Sequence, residues 1–359
     1  MARVSVVIAS YNHGKYIGEA IESVLSQDYQ DFEIVITDDG SADDSVAQIK
    51  RFTDPRIKLF CFPVNRGACT AKRHCLENAC GGYIAVLNSD DVFLPGKLTR
   101  QVQFLDTHPD IGAVFGHATV VDANGKSLAG RTTRAYVTVF DQPNRSRFEW
   151  LNHFFLQGNC LCHPTLLIRR ECYDTVGFLD ERYAQLPDLD FWVRLCMRYE
   201  IHILQEPLIR FRLHSAEGNA SGKTPSKLRR ARWEYRHLLD HYLMIDNTET
   251  LFKVFPEAHR YGGQIDPELI PYVLAMVAVE TPPPSQVRQM FGIETLFALL
   301  QDDATAKKVA TTFGFTYRDF IELTGRYDLF GLSEISELRE RIKHPLRSLA
   351  KRLAGASKK

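Results

Sequence analysis

The segment Tyr83-Ile84-Ala85-Val86-Leu87-Asn88-Ser89-Asp90-Asp91 constrains the fold more than any other stretch of the chain. A continuous apolar run, preceded by Gly81-Gly82, stops at an amide, a hydroxyl and two adjacent carboxylates. A run of this length suits a strand buried on both faces, as in a parallel sheet. In open α/β sheets the ligand crevice lies beyond the carboxyl ends of such strands. Neighbouring carboxylates repel unless a cation sits with them, and oxygen-rich clusters suit Mg²⁺ or Mn²⁺ carrying a phosphate ligand. The competing reading of the same residues is a helix N-cap, with Ser or Asp opening the segment after Pro95.

The chain before this segment repeats the pattern. Val4 to Ala9 reads as a strand ending in Ser10-Tyr11-Asn12-His13-Gly14. Ile17, Ala20, Ile21, Val24 and Leu25 then share one helical face. Phe32 to Thr37 reads as a strand ending in Asp38-Asp39, and Ser41-x-x-Asp44 as a capping box for the next helix. Ile57 to Phe62 is a third strand, followed by Asn65-Arg66-Gly67 and a helix from about Ala68 to Ala79. Strands alternating with helices imply an α/β, Rossmann-like doubly wound sheet. Tyr11-Asn12, Asp38-Asp39 and Asn88 to Asp91 all fall at strand C-termini, on one rim of one sheet.

The rim carries no Gly-x-Gly-x-x-Gly after the first strand, and no Gly-x-x-x-x-Gly-Lys-Ser/Thr loop occurs anywhere. A nucleotide held here needs side chains and a metal. Further on, Lys97 opens a helix, and Ile111 to Phe115 reads as a strand. Thr119 to Asp122 meets the hairpin turn Ala123-Asn124-Gly125-Lys126. Residues 126 to 147 read as a solvated, arginine-containing loop, or as a lid over a phosphate-bearing ligand. Phe148 to Leu156 is an aromatic helix and Leu166 to Arg169 a strand. In Leu186-Pro187-Asp188-Leu189-Asp190-Phe191-Trp192-Val193-Arg194-Leu195, the residues Leu189, Trp192, Val193 and Cys196 make an apolar face. Asp188 then lies in the first turn, where an acidic residue is also favoured by the helix dipole alone. Strands at Ile201 to Leu204 and Leu208 to Leu213 end at His214, which by itself is as well explained by a structural role. A polar linker follows from Ser215 to Ser226.

The 359 residues allow one large and one smaller domain. The net charge of zero gives no general attraction to nucleic acid, so none is expected as a partner. Met1-Ala2-Arg3 runs directly into the first strand, with no signal-peptide pattern, and Tyr272 to Val279 is too short to span a bilayer. Eight cysteines without Cys-x-x-Cys spacing read as reduced thiols. The expected location is cytoplasmic.

Val4 to Asn12, Phe32 to Ser45, Asn65 to Asp91 and Asp188 to Leu195, closed by Arg212-Leu213-His214, resemble in order and spacing the inverting family 2 glycosyltransferases of the GT-A fold. The resemblance covers roughly residues 3 to 222. It implies a GT-A-type mixed sheet in a domain over 1–222; residues 223–359, which it does not cover, read from their own pattern as a smaller, mainly helical region of unassigned role.

The resemblance also implies site roles. The backbone at Ala9 and the side chains of Tyr11 and Asp39 hold the nucleoside. Lys72 replaces the family's arginine near the nucleotide, a point charge for a bidentate fork. Asn88 stands where the family more often has a carboxylate and contacts ribose. The metal role moves onto Asp90, which also belongs to the nucleotide site, and Asp91, with His214 reaching the metal or pyrophosphate. Asp188 matches the catalytic base, although Pro187 replaces the usual Glu. Asp190 and Arg194 match structural positions.

The implied reaction is metal-dependent, with Mn²⁺ or Mg²⁺. It transfers a hexosyl or N-acetylhexosaminyl group, with inversion, from a UDP-linked sugar to a hydroxyl of a glycan or lipid-linked acceptor, as in polysaccharide biosynthesis. Arg339 to Lys359 reads as a basic amphipathic helix able to lie on the inner face of the cytoplasmic membrane, or as a solvated or partner-facing one. A homo-oligomer is left open. Two other readings remain: a catalytically silent sugar-nucleotide binder or assembly subunit, and a nucleotidyltransferase, whose glycine-rich basic loop is absent.

Overall fold

The strand that opens the chain, β1 (Val4–Ser10), lies between β2 (Phe32–Asp38) and β4 (Tyr83–Val86) and runs parallel to both. Val4 faces Phe32 on one side and Tyr83 on the other. The three carboxyl ends therefore emerge along a common edge. This computed structural model describes residues 2–129, 138–214 and 224–330. β3 (Ile57–Cys61) continues the parallel set beyond β2.

The other half of the sheet is mixed. β7 (Leu167–Arg169) runs antiparallel to β4 and to β6 (Ile111–Asp122). β8 (Glu200–Leu213) is parallel to β6 and carries the short β5 (Val92–Phe93) antiparallel on its outer edge. The order is β3-β2-β1-β4-β7-β6-β8-β5. The mixed sheet expected from the resemblance is present.

Two pairs of expected strands are single long strands. β6 runs unbroken from Ile111 into the hairpin at Asp122, and β8 joins Ile201–Leu204 to Leu208–Leu213. The apparent break is a bulge: Gly116 pairs with Leu204 and His117 with Pro207, so Gln205 and Glu206 are extra. Pro207 has no N–H for the ladder, and a bulge accommodates it. Gly116 must stay small, because a Cβ there would lie 2.4 Å from the Leu208 side chain.

Helices cover both faces. α1 (Gly14–Leu25) buries Ile17, Ala20, Ile21 and Val24 at the spacing the sequence showed. α2 (Ser45–Ile49) lacks the expected capping box. The Ser41 hydroxyl instead donates to Asp38 (2.7 Å) and accepts from Asn12 N–H (2.9 Å), which pulls the chain across the rim before α2 begins. α3 (Ala68–Asn78), α4 (Lys97–Thr107), α5 (Arg147–Gln157), α6 (Arg170–Val176) and α7 (Pro187–Cys196) complete this part. All eight cysteines are free.

The chain divides into two compact units, residues 1–241 and 242–359, so the boundary lies later than 222. Helix α8 (Pro225–Leu238), expected in the C-terminal region, belongs to the first unit. Its Tyr235 hydroxyl donates to the carbonyls of Phe154 and Phe155, and Glu234 accepts from the backbone ahead of α7. The second unit is helical as expected: α9 (Thr248–Val254), α10 (Ile270–Glu280), α11 (Gln286–Leu299), α12 (Asp303–Phe313) and α13 (Tyr317–Arg326). The apolar stretch at 272–279 is the buried helix α10. Gly292 of α11 lets α11 approach it closely, since a Cβ there would lie 2.5 Å from the Ala275 carbonyl. The loop reading of 126–147 falls partly, and the basic helix at 339–359 wholly, outside the described residues.

Lys97 is fully buried in the first unit, with its ammonium donating to Gln101 Oε1 (2.6 Å) and lying 4.1 Å from the Phe93 ring centroid. Burial holds its pKa well below 10.5. Between the folded-state value and 10.5 the unfolded chain binds a proton that the folded chain does not, so this group makes stability rise with pH. In urea unfolding over a pH series, Lys97→Met should lose that slope, and wild type should gain on the variant as pH approaches 10.5. Parallel pH dependences would show that Lys97 stays charged inside.

Candidate active site

The rim is built by side chains that tie the strand ends to one another. Asn12, the one non-glycine residue with a left-handed φ (52°) among those described, ends β1 by accepting from Ala42 N–H (2.8 Å). His13 N–H donates to Ser45 Oγ (2.9 Å) and Gly14 N–H to Asp43 (2.9 Å), so the start of α1 is anchored on the 41–45 loop. That anchoring aims the His13 ring at the 88–91 loop, with Nδ1 2.7 Å from Ser89 Oγ.

Residues Asp90 and Asp91 point opposite ways. The Asp90 carboxylate is at the surface of the rim, 2.8 Å from His214 Nε2. Asp91 is 1% exposed, accepting from Arg212 N–H (2.8 Å) and from Asn88 Nδ2 (2.9 Å). Burial, and next the charge on Asp90, push its pKa well above the usual carboxylate range. Ligand atoms of His13, Asp90 and His214 lie within 4.8 Å of one another. Asp91, expected beside Asp90 at the metal, is not in that group, and Asn88, expected at a ribose, turns its amide to Asp91. Two imidazoles and one carboxylate that converge this closely offer a donor set that fits a divalent cation.

Arg212 holds this arrangement. It is 3% exposed, and its guanidinium donates to the Asp90 carbonyl (2.8 Å), to the Asp122 and Ala123 carbonyls (3.4 Å each) and to Glu19 (2.7 Å). It also lies 4.9 Å from the centroid of Tyr16, whose ring is 5.1 Å from that of His214.

The residues expected at a nucleoside are spread along the same rim. Ala9 pairs with Thr37 near the ends of β1 and β2, and Tyr11 is 44% exposed there. Asp39 is buried, its two oxygens accepting from Arg66 N–H (2.6 Å) and Gly67 N–H (2.9 Å). It thus shapes the loop that opens α3.

Across the rim, Asp188 stands in the first turn of α7. One oxygen accepts from Asn159 Nδ2 (2.7 Å) and the other from Leu189 N–H (2.9 Å). Its pKa is raised: burial is the largest effect, opposed by the Leu189 N–H, the Lys72 ammonium and Asn159. Lys72, expected near the nucleotide, acts electrostatically on Asp188. It also acts on His163, whose pKa burial pushes well down, with Lys72 adding to the effect. A cavity of about 1000 Å³ lies on the Asp190 side of α7, with Arg73, Phe178, Trp233 and His237 in its wall. None of Asp188, Asp90 or His214 lines it.

Sequence reasoning did not assign His13, Asn159 or His163. His13 carries the same signal as its neighbours, a polar residue just past a strand end. Asn159 and His163 carry none, because only the fold brings the segment after α5 to α7.

A family model described as glycosyl transferase family 2 matches residues 5–177. An uncharacterized glycosyltransferase of Nostoc sp. is 32% identical over 243 residues, 64% of this chain and 70% of that one. The chain belongs to glycosyl transferase family 2. A second relative, an uncharacterized glycosyltransferase of Methanocaldococcus jannaschii, is 27% identical over 63% of this chain and 76% of its own length. The crystal structure of S. aureus TarS 1–349 is 18% identical with a TM-score of 0.55, covering 88% of this chain and 93% of that one. The glycosyltransferase has the GT-A fold.

Replacing Arg212 by Lys keeps the charge and loses the fork that reaches several carbonyls at once. Arg212→Lys should cost about 1–3 kcal/mol in urea unfolding, as a buried carbonyl loses its donor. Unchanged stability would show the fork to be dispensable.

Proposed function

We propose that this glycosyltransferase transfers a sugar, with inversion, from a UDP-linked donor to a hydroxyl of a glycan or lipid-linked acceptor. The observation that carries this reading is Asp188, a carboxylate whose basicity burial raises while Asn159 and the Leu189 N–H hold it by hydrogen bonds and Lys72 acts on it through its charge. A base tuned upward from 3.8 is stronger than a solvated carboxylate. The UDP assignment draws on the TarS neighbour, which was crystallised with UDP and with UDP-GlcNAc.

In the proposed reaction the acceptor hydroxyl donates its proton to Asp188 as its oxygen bonds to the anomeric carbon. The bond from that carbon to the diphosphate oxygen breaks on the opposite face, and the nucleoside diphosphate leaves with the electron pair. One displacement inverts the anomeric centre, as in inverting hydrolysis with the acceptor replacing water. Tyr11 offers an aromatic face to the base, and Ala9, Asp39 and Asn88 shape the nucleoside's end of the rim. A divalent cation held by Asp90, His214 and His13 would supply charge neutralisation for the diphosphate oxygens. Lys72 opposes, through its charge, the effect of burial on the Asp188 carboxylate. Among the described residues no helix is long and apolar enough to cross a membrane.

Asp188→Asn should lose about 10²- to 10⁴-fold in kcat while binding the donor as wild type does, by steady-state kinetics and calorimetry. Normal turnover would remove Asp188 as the base. The base acts ionised, so kcat/KM should rise with pH through an acid limb lying above 3.8.

Calorimetric titration with UDP should give binding that strengthens with Mn²⁺ in wild type and loses that enhancement in Asp90→Ala and His13→Ala. Tighter binding of another nucleoside diphosphate would change the donor and keep the chemistry. If no nucleotide binds, the donor assignment falls and a non-enzymatic role replaces it.

A further inference from the structure

Helix α8 touches neither rim nor base, yet two adjacent residues on it grip the two segments whose side chains meet at Asp188. Glu234 is 3% exposed and accepts three consecutive backbone N–H groups. Ala184 donates to Oε1, and Gln185 and Leu186 to Oε2, each at 2.8 Å. Leu186 is the N-cap of α7 and has no side chain able to cap it. Pro187, the next residue, has no N–H at all. The Glu234 carboxylate therefore fixes, from another helix, the three backbone N–H groups that lead into α7.

Tyr235 makes the second attachment. Its hydroxyl reaches the Phe154 carbonyl (2.9 Å) and the Phe155 carbonyl (2.7 Å) in the last turn of α5. Asn159 follows that turn, directly after Gly158, whose φ of 81° re-aims the chain. Beyond the helix, His241 Nε2 lies 2.7 Å from Asp190 Oδ1, two residues past Asp188. The other Asp190 oxygen accepts from Arg194, which also donates to the carbonyls of Val176 and Phe178. The Asp188–Asn159 hydrogen bond is thus held on both sides by one short stretch of chain. That stretch lies wholly outside residues 5–177, where the family match falls.

We propose that Glu234 and Tyr235 are positioning residues for the transfer reaction. Glu234 sets the backbone from which Asp188 projects, Tyr235 sets the turn that presents Asn159, and together they fix the geometry of the base. The proposal rests on the reading of Asp188 as general base.

The test compares Glu234→Gln and Tyr235→Phe with Asp188→Asn in the full chain, measuring kcat, donor KM, UDP stoichiometry by calorimetry and the pH profile of kcat/KM. Gln must present its NH₂ to one of the three N–H donors, so the 184–186 backbone has to shift. Glu234→Gln should lower kcat by up to about 100-fold, the scale of an ångström-sized misplacement, with donor KM and UDP stoichiometry unchanged. Tyr235→Phe should lose less in the same pattern. In both, the acid limb should move to higher pH, because the Asn159 bond that favours the ionised base is weakened. Adding Glu234→Gln to Asp188→Asn should cause no further loss.

Wild-type kcat in both variants would overturn the proposal. So would a loss matched by a fall in UDP stoichiometry with the pH profile unmoved, which is what unfolding of part of the sample gives. If Glu234→Gln does not accumulate as folded protein, Tyr235→Phe decides alone. If Asp188→Asn turns over normally, the base assignment fails, whereas an inactive Asp188→Asn beside an unimpaired Glu234→Gln rejects the positioning role only.

Discussion

The site depends on Arg212 more than on any residue that would touch a substrate. At the end of β8, Arg212 joins three other pieces of the fold. Its N–H satisfies the buried Asp91, and its guanidinium meets the Asp90 carbonyl, the carbonyls of the β6 hairpin and Glu19 of α1. With the backbone at Asp90 and Asp91 pinned from both sides, the two adjacent carboxylates divide their tasks. Asp91 faces inward and orders the loop, while Asp90 faces outward and can take a ligand. His214 follows two residues after Arg212, so the alternation of an extended chain carries it to the same side. The Asp90–His214 approach is therefore set by backbone rather than by a flexible arm.

The base side works by a different balance. A carboxylate in water is a weak base, and one buried alone would hold its proton and have none to accept. Asp188 lies between these limits, because burial raises its pKa while a backbone N–H, Lys72 and Asn159 favour the ionised form. Helix α3 links this side to the other. Asp39 builds the turn that starts α3, and Lys72 one turn later directs its charge at Asp188.

Much of this was legible in the chain alone. Apolar runs of strand length marked β1, β2 and β4, and the polar residues immediately after them marked the rim, because a parallel strand buried on both faces must end where its hydrophobic residues end. The breaks read into β6 and β8 were errors of a local kind. Pro207 and the polar Gln205-Glu206 looked like a turn, and a bulge absorbs them without ending the strand. The capping box read at Ser41 failed because its oxygen accepts from the Asn12 N–H instead of a helix N–H, while its O–H goes to Asp38. The boundary at 222 followed the polar linker, whereas buried hydrogen bonds from Glu234 and Tyr235 attach the helix beyond it to the first unit.

Periodicity and strand ends are properties of short stretches, and the sequence by itself determined β1, β2 and β4 and the rim at their carboxyl ends. Only the tertiary structure decided that Asp91 turns inward, that His13 joins Asp90 and His214, and that Asn159 meets Asp188. Each of these joins chain segments at least 29 positions apart, brought together by the sheet. No pattern within a single segment records which distant backbone will satisfy its polar groups.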